Sequence, residues 1–222
     1  MIDELIKFIP PSLQSRSGKV FYSGRNAYTR RSPVYILGVN PGGAPDEHAT
    51  ETVQSHTELV LRSLSADWSA YRDESWKGKA PGKAGMQPRI LHLIDMLGLT
   101  PGIVPASNLV FARSSRESTF DGDILQMARE CWPFHSKVIE LLRPRIIVCL
   151  GSTAGNYVCG KIGAIKQIDQ FVEKNKRQWT SRLYSNGLGA SVAVLTHPSI
   201  ANWCSEATDP SGLVVRAIQN AA

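Results

Sequence analysis

Two short segments of this chain hold polar groups on supports stiff enough for chemistry. The first is Gly38-Val39-Asn40-Pro41-Gly42-Gly43, which directly follows the apolar run Val34-Tyr35-Ile36-Leu37. Glycine lets the main chain approach a ligand closely, and Pro-Gly sets a tight turn, so Asn40 projects its amide from a rigid loop. An amide is no useful base; its chemistry is to position a partner by hydrogen bonding. The second is His197-Pro198-Ser199, just past Val192-Ala193-Val194-Leu195. A histidine there can hydrogen-bond a ligand, and the adjoining proline stiffens its loop. Ser199 lacks the G-x-S-x-G turn of a nucleophilic serine. The glycine loop is neither G-x-G-x-x-G nor a Walker loop, so a nucleotide-phosphate cradle is unsupported.

Metal chemistry finds little purchase. Cys131, Cys149, Cys159 and Cys204 form no C-x-x-C pair. His48, His56, His92, His135 and His197 show no H-x-x-x-H or H-E-x-x-H spacing. No catalytic metal and no cofactor are expected, and the thiols read as reduced.

The elements that must position the two segments follow from pattern. Val34 to Leu37, Arg145 to Leu150 and Val192 to Leu195 are apolar, β-rich runs that read as buried strands. Asn108 to Phe111 reads as a short strand and Gln178 to Tyr184 as an outer one. Helices are expected over 2–9, ended by Pro10-Pro11; over 47–64; over 90–97, stopped by Gly98; over 123–142, interrupted near Pro133; after Gly151-Ser152-Thr153; and over 211–220. Residues 65–87 read as a long loop. Strands alternating with helices imply a mostly parallel sheet covered on both faces. In such sheets ligands bind outside the carboxyl ends of the strands, where the loops at Gly38, Gly151 and His197 fall.

With 222 residues, 42% apolar and 20% charged, the chain suits one globular domain over 1–222. No apolar run approaches a membrane span, and the acidic start Met1-Ile2-Asp3-Glu4 is no secretory signal, so a cytoplasmic monomer is expected. The formal charge of +6 suits an anionic partner such as nucleic acid. Six basic residues (Lys7, Arg16, Lys19, Arg25, Arg30, Arg31) lie between Leu5 and Pro45 with no acid among them. Of these, residues 16–31 are expected on the nucleic-acid side. A second basic stretch, Lys174, Lys176, Arg177 and Arg182, is opposed only by Glu173 and reads as a solvated face or an anion contact.

Together, Gly38-x-Asn40-Pro41-Gly42, Asn108-Leu109-Val110, Leu142-Arg143-Pro144-Arg145-Ile146-Ile147-Val148-Cys149-Leu150-Gly151 and His197-Pro198-Ser199 resemble, in this order, the uracil-DNA glycosylase superfamily. The likeness spans roughly residues 34 to 204. Asn40 resembles the mismatch-specific and single-strand-selective branches, where the uracil-specific branch carries Asp. The form His197-Pro198-Ser199-x-x-Asn202 is most similar to the single-strand-selective branch. The resemblance implies a three-layer α/β/α sandwich with a mostly parallel central sheet.

It also implies a DNA partner, base flipping and hydrolysis of an N-glycosidic bond. Asn40 would hold the attacking water, and His197 would donate to O2 of the departing pyrimidine. Asn108 would read the base edge, with Phe111 stacking on the ring. The long segment 44–87 offers Trp68, Tyr71 and Trp76 as further candidates to stack on the base, with Phe111 their rival. Backbone N–H groups near Val39 and Ser199 would bind base or phosphate. Ile200, Ala201 or Trp203 would probe the gap in the stack, Trp203 being the larger wedge, with Asn202 and the Arg30-Arg31 pair on the DNA. Gly42-Gly43 replaces the tyrosine that blocks C5 in the uracil-specific branch, opening the pocket to C5-modified pyrimidines. Some branches hold an iron–sulfur cluster on four cysteines, one pair N-terminal. This chain has no cysteine before Cys131. The alternatives are a non-catalytic nucleic-acid-binding module of the same fold and an unrelated α/β enzyme acting on a small phosphorylated ligand.

Overall fold

The computed structural model describes residues 1–115, 122–187 and 189–220. Six strands form one sheet: β1 (Val34–Gly38), β2 (Ala106–Asn108), β3 (Ile146–Leu150), β4 (Lys166–Val172), β5 (Thr180–Ser185) and β6 (Ser191–Leu195), in the order β2-β1-β3-β6-β5-β4. The pairs β1–β2, β1–β3 and β3–β6 are parallel, whereas β5 runs antiparallel to both β6 and β4. The helices are α1 (Ile2–Ile6), α2 (Val53–Arg62), α3 (Ala70–Asp73), α4 (Gln87–Met96), α5 (Ile124–Leu142), α6 (Ser152–Ile162) and α7 (Ser211–Asn220).

Every residue of β1 and β3 is buried. That is why these strands read as unbroken apolar runs: helices cover both faces. α5 and α6 meet through Trp132 and Tyr157, ring centroids 5.8 Å apart, and α4 packs on α7. The result is an α/β sandwich with a six-stranded, mostly parallel central sheet. Among the described residues no helix is long and apolar enough to cross a membrane.

Four regions differ from the sequence pattern. β2 ends at Asn108, because Leu109-Val110-Phe111 leaves the sheet and packs into the core at 0% exposure. α5 runs without a break through Pro133. Pro133 is exposed, as is Arg129, whose carbonyl loses its helical donor, so that carbonyl lies on a face open to solvent. β4 was not legible at all: it is an edge strand with an irregular register between Gln167 and Asp169. The segment 65–87 is no open loop. It carries α3 and buries Trp68 (5% exposed) and Tyr71 (2%).

Candidate active site

The carboxyl ends of β1, β2, β3 and β6 lie side by side, and each of the three polar segments leaves the sheet there. Register places Gly38 directly beside Asn108, and Leu150 beside Leu195. The Gly38–Gly43 loop is then zipped to the segment after β2: Leu109 N donates to Gly38 O (2.9 Å), Val110 N to Val39 O (2.8 Å) and Ser114 N to Pro41 O (3.1 Å). Such main-chain pairing fixes a loop far better than side chains could.

Asn40 is half-buried. Its Nδ2 donates to Pro41 O (2.9 Å) and Ser114 O (3.3 Å). Both donors being used on carbonyls, Oδ1 is left as the acceptor, which is the polarity needed to hold a water by one of its hydrogens. A Cβ at Gly38 would collide with the Asn108 carboxamide oxygen, so any larger residue there must displace that amide. Asn108 is 6% exposed, and its buried Nδ2 makes no hydrogen bond of full geometry, only a looser approach to the Tyr22 hydroxyl. A buried donor left without a full bond costs up to about 1–3 kcal/mol, so this amide awaits an acceptor.

His197 is half-buried at the end of β6. Its Nδ1 accepts from Ser199 N (3.1 Å) and lies 2.7 Å from Ser199 Oγ. With Nδ1 accepting from the Ser199 main-chain N–H, the neutral tautomer carries its proton on Nε2. Gly151, at φ 98°, lies against the His197 ring. Two arginines clamp the loop from either side: Arg89 donates to Pro198 O, and Arg177 Nη1 to Ile200 O (2.8 Å).

Behind the Asn40 loop lies an ion network that sequence reasoning missed. Arg113 donates to Gly42 O and pairs with Glu51. Glu51 also pairs with Lys19 (3.0 Å), which pairs with Glu74 (2.9 Å). Trp76 Nε1 donates to Glu74 at 2.7 Å. Burial alone would depress Lys19, yet the Glu74 and Glu51 carboxylates beside it hold its pKa above the ordinary lysine value. His56, next to this network, is pushed down to about 3 by burial, then by Lys19 and Arg113, so it stays neutral. Arg113 lies five residues past Asn108, and no pattern in the sequence marks it.

Several expected site residues lie elsewhere. Phe111 does not present a stacking face: it is 0% exposed, edge-on to Phe134 (5.2 Å) and beside His135 (5.4 Å). Trp203 is no wedge: it is 0% exposed, and its Nε1 donates to Thr196 O (3.1 Å), so the indole anchors the His197 loop from below. Ala201 is likewise buried, which leaves Ile200, 54% exposed, as the apolar tip. Asn202 is exposed, and its Oδ1 accepts from Cys204 N (3.3 Å). Arg30 and Arg31 are exposed but precede β1, where Ser32 N donates to Leu142 O and Ile146 N to Pro33 O. They sit at the amino edge of the sheet, about 17 Å of strand from the Asn40 loop, so they do not share its face. Of the other basic residues between 16 and 31, Lys19 is locked in the ion network, and Arg25 caps α2 through Val60 O, Leu61 O and Leu64 O. Trp68 and Tyr71 are core, and Trp76 packs edge-on to Tyr71 at 5.9 Å. Gly42 is open as expected: a Cβ there would meet no atom within 4 Å. Gly43, at φ 106°, packs on His48.

The family model described as the Uracil DNA glycosylase superfamily matches residues 26–219, and the chain belongs to that superfamily. Membership supports an activity of the DNA-glycosylase type, with DNA as the partner. No curated protein matches the chain.

Proposed function

We propose that this member of the superfamily is a monofunctional DNA glycosylase that flips out a pyrimidine nucleotide and hydrolyses its N-glycosidic bond, acting on uracil or a C5-modified pyrimidine. The observation that carries this reading is the buried amide of Asn108, without a full hydrogen bond, at the sheet edge shared with Asn40 and His197. A flipped base brings the well-placed carbonyl acceptor that this donor lacks.

The roles follow from the hydrogen bonds. The C1′–N1 bond breaks with its electron pair going to the base, whose charge gathers on O2. The Nε2–H of His197 faces that charge and stabilises it without transferring a proton. The sugar, now oxocarbenium-like, is attacked by the water held on Asn40 Oδ1. The water supplies OH to C1′, and its remaining hydrogen neutralises the departed base. Asn40 contributes position alone, which suits a cation so electrophilic that little activation of the nucleophile is needed. The open space over Gly42 supports a pocket tolerant of substituents on C5. Excision of this kind serves repair, or defence against phage DNA built with modified pyrimidines, and the preferred base separates the two.

The test is base release from single-stranded and duplex oligonucleotides. They would carry uracil, thymine opposite guanine, hydroxymethyluracil, and hydroxymethylcytosine with and without an attached sugar, with alkali cleaving the abasic product. Release from at least one is expected, falling on the order of 10²-fold or more in Asn40→Ala while DNA binding persists. No release from any substrate, with binding intact, would leave a binding module of the same fold.

A further inference from the structure

The turn joining β4 to β5 projects from the same sheet edge as the active-site loops. Val172 pairs with Thr180, Glu173 N donates to Trp179 O (2.9 Å), and Thr196 N of the His197 loop donates to Ser181 Oγ (2.9 Å). The turn is built around one carboxylate. Glu173 is 2% exposed and receives Asn175 Nδ2 (2.9 Å) and Arg177 Nη2 (3.1 Å). The same guanidinium donates to Ile200 O and lies 4.1 Å from the centroid of the Trp179 ring. One arginine thus touches both the apolar tip of the His197 loop and an indole. Trp179 is 39% exposed and Ile200 54%.

We infer that the 173–179 turn is a second DNA-gripping element, in which Trp179 stacks on an unpaired base beside the flipped nucleotide while Ile200 fills the gap in the stack. The inference rests on the reading of the protein as a glycosylase. Three physical points carry it. A large ring left open to water beside the mouth of a site gains by covering its face, and every base offers a π-face of the right size. Arg177 already holds the indole on one side and is itself held by a buried carboxylate, so the ring is ordered before a ligand arrives. The surrounding charge is mainly basic: Lys174, Lys176 and Arg182 are exposed. Of the nearby acids, Glu173 is consumed within the turn and Glu206 pairs with Lys174 (3.1 Å). An aromatic set among cations suits a nucleic-acid strand, whose phosphates flank each base.

The experiment uses the full chain and a single-stranded oligonucleotide carrying a tetrahydrofuran abasic analogue. Binding should quench tryptophan emission chiefly through Trp179, because Trp68 and Trp203 are buried and Trp76 and Trp132 are half-buried against the core. Trp179→Ala should abolish most of that quenching and weaken affinity about tenfold. Trp179→Tyr, which keeps a stacking ring, should return affinity to within about twofold of wild type. Wild-type affinity in Trp179→Ala would overturn the inference, as would equal loss in the Ala and Tyr variants with unaltered melting curves. The two readings fail separately. Wild-type base release with undiminished binding by Trp179→Ala removes the turn alone. Absent base release with binding lost in Trp179→Ala removes the glycosylase and keeps the turn.

Discussion

The two basic stretches of this chain look alike in sequence and end in opposite circumstances. In residues 16–31 two of the positive charges serve the fold and two stand away from the site. Lys19 is buried against Glu51 and Glu74, Arg25 closes the end of α2, and Arg30 and Arg31 point into solvent at the wrong edge of the sheet. In residues 174–182 the charges stand at the carboxyl edge, around the loop that bears His197 and Ile200. A run of like charge therefore says little about a ligand. What matters is whether acids elsewhere in the chain fold onto it and which end of a strand it adjoins. Glu51 and Glu74 are 32 and 55 positions from Lys19, so nothing near it in sequence announces its neutralisation.

The comparison breaks most easily at Lys19. Lys19→Met should cost stability on the order of 3 kcal/mol, because Glu74 and Glu51 lose their shared cation in a poorly solvated place. Thermal or urea unfolding reads this, and DNA affinity measured well below the transition should barely move. A milder probe of the same region is acid. His56 and His135 are held neutral, at about 3 and about 4, whereas in the unfolded chain each takes up a proton near 6.5. Protons then bind the unfolded state preferentially, so stability is complete above about pH 6.5 and falls as pH drops toward 4. The expected loss is a few kcal/mol across that window, read from melting temperature against pH. Removing the charge of Lys19 should flatten this limb, since that charge helps to depress His56.

On the other stretch the expected effect is on binding. Arg177→Ala frees Ile200 O and strips Glu173 of a partner, so DNA affinity should fall about tenfold, with a smaller salt dependence, in a titration over ionic strength. The smallest effect belongs to Arg30→Glu with Arg31→Glu. Affinity should change by less than about threefold, through the overall field alone, and a larger drop in the same titration would return the amino edge to the DNA side.

Legibility in the sequence followed burial. β1, β3 and β6 were plain because both faces are covered, so every position is apolar or small. β4 (Lys166–Val172) was hidden because an edge strand needs no such pattern, and its residues are mostly exposed. The polar site residues were recoverable because they sit where strands end: Asn40, Asn108 and His197 each follow or close one. Phe111 and Trp203 misled for a common reason. Both are near site polar groups in sequence, but an apolar ring beside a buried strand is drawn to the core, whereas Ile200, two residues past Pro198, has no core to reach. Arg113 was invisible because its partners, Ser17, Gly42 and Glu51, are set by tertiary contacts.

Gly38 and Asn108 are adjacent across β1 and β2, and the carboxamide of one fills the space above the other. In evolutionary terms the two positions form a single character. A side chain enters at 38 only by displacing the amide at 108, and a shorter residue at 108 gives up the buried donor at the moment it makes room. A lineage therefore leaves this pairing by way of an intermediate whose amide is lost or displaced, and a library that randomises position 38 alone, selected for activity, should favour glycine.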